Sequence, residues 1–230
     1  LAPDPSLATV PLALQFAGAF MTTVPASLFM GKFGRRLGFS IGQVGGALGG
    51  LLAAYAIYIQ SFWLFAAASL LIGFHVAFWQ YCRFAAADSA GPEFKAKAIS
   101  YVLVGGVFAA VAGPQLGIFS QDLFAPIQFM GIYVIIAGLC AITLVILQAI
   151  RIPPPSTVED KKAGRPLTVI MRQPVFVVAV MSAMLGYGTM TLVMTATPLA
   201  LEGCGFGYSD SATVIQWHIL AMFGPSFFTG

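Results

Sequence analysis

Apolar residues run through this chain in seven blocks, near residues 7–30, 38–59, 62–84, 98–120, 126–150, 174–198 and 211–230, with short polar turns between most of them. Each block approaches or exceeds the roughly 20 residues that a helix needs to cross ~30 Å of hydrocarbon. Backbone amides find no water to bond inside lipid, so every block is predicted to be helical. Short turns predict that spans adjacent in sequence lie antiparallel and side by side. The sharpest turn falls within residues 25–38, where one apolar run stops at Lys32, Arg35 and Arg36 and the next begins at once.

The charges fix a sense for these crossings. All 11 basic residues lie in the first, third and fifth connections or their flanks: Lys32, Arg35 and Arg36; Arg83, Lys95 and Lys97; Arg151, Lys161, Lys162, Arg165 and Arg172. The connections around Gln60, Asp122 and Glu202 hold none. Basic residues concentrate on the cytoplasmic side of a membrane, so the odd connections are expected inside and residues 1–6 outside. With no signal peptide visible and an apolar run reaching the last residue, the chain reads as a fragment: helices 2 to 8 of a longer protein, incomplete at both ends.

Composition agrees with a lipid solvent. Charged residues make up 8% and hydrophobic ones 59%, against about 25% and 45–50% in a soluble domain. The net charge of +3 sits in turns and forms no basic stripe interleaved with aromatics, so nucleic acid is not expected as a partner. Lipid is. Cys82, Cys140 and Cys204 lack CxxC spacing, which argues against a disulfide framework or a metal site. The fold class expected is an all-α polytopic membrane protein.

Residues 151–172 form the one long connection, with three prolines at 153–155 and a charged run, Glu159, Asp160, Lys161 and Lys162. Proline stops helices and mixed charge favours solvation. The organisation expected is a helical half over 1–151, a cytoplasmic linker over 152–172 and the start of a second half over 173–230.

The turn Ser27-Leu28-Phe29-Met30-Gly31-Lys32-Phe33-Gly34-Arg35-Arg36 resembles the G-x-L-x-D-R-x-G-R-R signature between helices 2 and 3 of the major facilitator superfamily. Gly34, Arg35 and Arg36 match and Lys32 keeps the charge; Ser27, Phe29 and Gly31 depart, and Gly31 stands where the family has a gate aspartate. Gly113-Pro114-Gln115-Leu116-Gly117 is similar to the G-P-x-x-G core of the family's fifth-helix antiporter motif. The arginine that the family often places before a third-span glycine is missing, Ser69 standing near its place. Residues 83–88 and 195–198 resemble riboflavin importers of the superfamily. The resemblance implies a helical bundle of the superfamily's type working by alternating access, with no cofactor.

Candidate working residues follow from position. Glycines 42, 45, 46, 49 and 50 give small-xxx-small spacings that bring helix backbones close, as a sliding contact or as static packing. Pro114 removes the amide that would bond Ala110 and predicts a bend, either a hinge or a tolerated kink. Arg83 at the inner end of a span would cost about 2.5–3.5 kcal/mol against lipid at depth; it either snorkels or joins a cytoplasmic gate. In that gate Arg35 or Arg36 pairs with Asp88 or Glu93, replacing the missing aspartate. The gate set is Lys32, Gly34, Arg35, Arg36, Arg83 and Asp88; the hinge and packing set is Gly45, Gly49, Gly113, Pro114 and Gly117.

His75, Trp79 and Cys82, at i, i+4 and i+7, share a predicted helix face. Tyr187, Met190, Thr191, Met194, Thr195 and Pro198 make a similar stripe, suited either to a cavity wall or to bonding between helices. With Gln15 and His218 added, the candidate cavity lining is Gln15, His75, Trp79, Tyr187, Thr191, Thr195 and His218. All eight carboxylates fall in connections or at span ends, so proton coupling, if present, would need a histidine or a helix outside this sequence. Neither HExxH, CxxC nor paired carboxylates support an enzyme, and no filter sequence supports a channel. The function expected is secondary transport of a small organic solute, with drug or metabolite efflux and riboflavin-type import as alternatives and protons as a candidate partner.

Overall fold

Helices account for the regular structure of the described residues, which in the computed structural model are 1–90, 92–150, 152 and 166–224. They are α1 (Val10–Phe33), α2 (Arg35–Tyr58), α3 (Phe62–Trp79), α4 (Cys82–Ser89), α5 (Lys95–Ser120), α6 (Met130–Ala149), α7 (Leu167–Met171), α8 (Pro174–Gly203) and α9 (Tyr208–Phe223). Asp4 accepts a hydrogen bond from the Ser6 amide at 2.7 Å and caps the short 3-10 turn that leads into α1. That bonding from Ser6 holds the Asp4 carboxyl below its usual range.

Six stretches are long and apolar enough to cross a membrane: Pro5–Phe33, Arg35–Tyr58, Phe62–Asp88, Ser100–Ser120, Met130–Ala149 and Pro174–Gly203. They correspond to the first six expected blocks. The seventh block is described only in part: its helix α9 has 16 described residues, and 225–230 lie outside the described residues. So do Arg151, the prolines at 153–155, the charged run 159–162 and Arg165.

The chain divides into two compact units, residues 1–155 with 223–230 and residues 156–222. In the first unit α2 is the central mast, with α3 on one side and α6 on the other. Half of its apolar stretch is buried, against none of that of α8 in the second unit. The expectation that successive spans pack together holds for α2 and α3 and fails for α1. Although a single residue joins α1 to α2, the main partner of α1 is α3.

Glycine placement is the reason. A Cβ on Gly73 would come within 2.0 Å of the Gln15 carbonyl oxygen, and one on Gly18 within 2.3 Å of that of Leu70. These two glycines let the backbones of α1 and α3 touch, which no side chain between them would allow. The glycines of α2 divide between two neighbours. A Cβ on Gly42, Gly45 or Gly49 would strike Phe78, Phe74 or Ile72 of α3; one on Gly50 would strike Tyr133 and Ala137 of α6. Gly46 faces both, its Cβ position lying 2.8 Å from His75 and from Cys140 Sγ.

The third span is interrupted. At Gln80 and Tyr81 the amides reach back to Val76 and Phe78, a tightened turn, before α4 begins at Cys82. The tightened turn falls between Trp79 and Cys82, the second and third members of the expected face, with Gln80 and Tyr81 both still in the right-handed helical region. Helix α5 runs through Pro114 as one element of 26 residues.

Candidate functional site

The basic end of the first unit is built on one residue. Gly34 joins α1 to α2 at φ 93° and ψ 151°, a conformation that costs an L-residue about 1–3 kcal/mol. Glycine here allows the reversal in a single step, so Arg35 and Arg36 open α2 side by side. Neighbours on a helix point about 100° apart, and these two reach different elements. Arg35 makes an ion pair with Asp88 of α4. Arg36 donates to the backbone carbonyl of Gln148, at the end of α6, and to its Oε1 at 3.2 Å. Gln148 Nε2 donates to Ser40 Oγ at 3.1 Å, and Ser40 Oγ to the Arg36 carbonyl at 2.9 Å, closing the circuit. A guanidinium on a C-terminal carbonyl also opposes the negative end of the helix dipole.

Beneath these contacts is a buried cluster of Ala26, Met30, Phe39, Phe78 and Ala85, flanked by Ile41, Phe74, Tyr81, Leu147 and Ile152. Its residues come from α1, α2, α3, α4 and α6, so the basic end of this unit is an apolar plug under polar ties. Arg35 keeps 25% and Asp88 58% of its side chain exposed. Water therefore screens the pair, and it contributes about 0–1 kcal/mol to stability; its effect is orientation. Lys32 lies over the Phe33 ring at 5.1 Å and Arg83 over Phe84 at 5.4 Å. Arg83 is exposed.

The middle of the unit treats its polar residues differently. His75 Nδ1 bonds the Gly42 carbonyl of α2 at 3.0 Å; a carbonyl only accepts, so Nδ1 carries the proton. Gly73, two residues away and nearly opposite on α3, faces Gln15 of α1. The Gln15 backbone and the Gly42 carbonyl bonded by His75 thus lie on different sides of α3. Trp79 is half exposed. Gly113 has nothing within 4 Å of a Cβ position, whereas Gly117 is buried.

In the second unit, the partly covered positions of α8 are Met190, Thr191, Met194, Thr195, Thr197, Pro198 and Leu201, while Tyr187 is exposed. His218 of α9 is partly buried. Among the described residues no group of three His, Cys, Asp or Glu could hold a metal ion.

Sequence reasoning missed Gln148 and Tyr81, single polar residues near span ends with no motif around them. It also missed Gly18, whose flanking Ala17 and Ala19 were the available sign of close packing.

The family model of the Major Facilitator Superfamily matches residues 1–230. The riboflavin transporter RfnT of Brucella anthropi is 42% identical over the whole chain. The uncharacterized MFS-type transporters YddS and YdeG of Bacillus subtilis are 31% and 28% identical over 98% of it. The chain spans 58%, 55% and 56% of the lengths of these three relatives. No solved structure gives a significant match. A match along the entire chain, on six apolar helices with the Gly34-Arg35-Arg36 turn between the first two, makes this multi-pass membrane protein a member of the Major Facilitator Superfamily.

Proposed function

We propose that the protein of which this chain is part is a secondary transporter that carries riboflavin or a close flavin analogue across a bacterial inner membrane by alternating access. The observation that carries the solute is the 42% identity to a riboflavin transporter, sustained over the whole chain. Riboflavin joins a flat apolar ring system to a polyhydroxyl tail. The Tyr187, Met190, Thr191, Met194 and Thr195 stripe offers an aromatic ring, soft thioethers and hydroxyls at helical spacing, a chemistry suited to both parts.

Arg35 and Asp88 act as a cytoplasmic gate tie in this reading, taking the place of the aspartate that Gly31 lacks. The tie is weak, as a gate that must open in each cycle requires. Residues 1–151 and 173–230 belong to two halves that rock about a central site, and the linker between them is cytoplasmic. Protons are the proposed coupling ion; the described carboxylates lie at span ends or in connections and His75 is engaged with Gly42, which leaves His218 or a group outside the described spans as the carrier.

The test is uptake of radiolabelled riboflavin by the full-length protein in a bacterial strain unable to make the vitamin. Growth at low external riboflavin and saturable uptake are expected. Protein that reaches the membrane yet gives neither would overturn the flavin reading, and faster loss of preloaded label would reverse the direction.

A further inference from the structure

Two helices lose their regular bonding at the same depth, and one hydrogen bond joins them there. In α1, Pro25 has no amide to offer the Met21 carbonyl. In the third span, the tightened turn at Gln80 and Tyr81 separates α3 from α4. Between these irregularities the Tyr81 hydroxyl donates to the Thr23 carbonyl at 2.9 Å. Below this level lie the end of α1, the Gly34 turn and α4, which carry the two partners of the Arg35 and Asp88 ion pair. Ala26, Met30 and Ala85 of these segments belong to one buried cluster, and the Tyr81 ring packs against it.

A helix resuming after a broken turn has its direction set by whatever holds its first residues. Here Ala85 donates its amide to the Tyr81 carbonyl at 3.0 Å, so Tyr81 is also the residue from which α4 is hung. Asp88 lies two turns further on and is 58% exposed. Helix α4 also packs along α5, but the exposed carboxylate itself reaches Arg35 through the direction in which α4 leaves Tyr81. We infer that Tyr81 is a positioning residue for the gate: its bond to the Thr23 carbonyl aims α4 so that Asp88 meets Arg35. The inference rests on the gate reading above. It adds a hinge line, Pro25 in α1 and Gln80-Tyr81 in the third span, about which the inner segments tilt when the ion pair opens.

The experiment compares Tyr81→Phe, Asp88→Asn and the double variant in the full-length protein. Ala87→Cys serves as a reporter on a background with Cys82, Cys140 and Cys204 replaced by serine. The rate of maleimide labelling from the cytoplasmic face of inverted vesicles reads how often the inner end opens. Tyr81→Phe keeps the ring in the cluster and removes only the donor, so the fold is retained. It should raise the labelling rate about fivefold, the size that one net hydrogen bond commands. Asp88→Asn should raise it as well, and the double variant no further than the larger single, because both act through one contact. An inert Tyr81→Phe, or effects that multiply, would leave the gate standing and remove Tyr81 from it. An inert Asp88→Asn would remove the gate itself, and the role of Tyr81 with it.

Discussion

The contact between α1 and α3 gives the sharpest test of how this unit is held together. In Gly73→Ala the new methyl would sit 2.0 Å from the Gln15 carbonyl oxygen, 2.9 Å from its carbon and 3.0 Å from the Ala19 nitrogen. The first distance falls about 1.4 Å short of the 3.4 Å at which ordinary contact begins. All three atoms are backbone, so no rotamer change relieves them and α1 must move as a body. The movement also opens the reciprocal Gly18 contact, and α1 has little packing on α2 to fall back on. Overpacking of this kind costs about 1–3 kcal/mol, and more where the backbone must shift; alanine's better helix propensity returns about 1. A net loss of about 2 kcal/mol lowers the melting temperature by about 4–8 °C in a protein of this size or a little larger. Thermal unfolding in detergent, followed by thiol-reactive dye or intrinsic fluorescence, reads the shift. Gly113→Ala and Gly138→Ala, with nothing within 4 Å, are the controls and should melt no earlier than the parent. Gly45→Ala first meets the Phe74 ring, which can turn, and should fall between. If Gly73→Ala melts with the controls, the glycine contact is not what seats α1.

Exchanging the charges of the gate pair should separate orientation from stability. Arg35→Asp and Asp88→Arg alone should each impair uptake, and the double exchange should restore part of it. Melting should stay within about 1 kcal/mol equivalent throughout, since the pair is water-screened; a double variant as inactive as the worse single would refute the pairing. Gly34→Ala should cost about 1–3 kcal/mol by backbone strain alone, because φ is 93° and no atom lies within 4 Å of its Cβ position. An unchanged melting curve would show that another turn conformation is available. His75→Ala should lower the melting temperature by removing the bond to Gly42 while leaving the pH dependence of uptake in vesicles as it was. Loss of that dependence would identify His75 as a proton carrier instead of a bridge between helices.

What could be read directly from the sequence was everything set by the solvent. Lipid forces long apolar runs into helices and sorts basic residues to one side, so the six long blocks, their ends within a few residues and the special turn at Gly34 are properties of the linear pattern. The Arg35 and Asp88 pairing was one of four combinations that this pattern allowed. Which combination forms depends on α4 restarting after Gln80 and Tyr81, an interruption that no proline or glycine announces. Arg36 turning to Gln148 is likewise invisible locally, since 112 residues separate them. Partner choice escaped for a related reason. A small residue shows that a helix can approach another backbone, and loop length suggests the next helix along. Only the three-dimensional register of Gly18 against Leu70 and Gly73 against Gln15 sends α1 past its sequence neighbour to α3. Residues 73 and 75 point to opposite sides of one helix, towards the α1 backbone at Gln15 and towards α2, and tertiary packing alone decides which neighbour occupies each side.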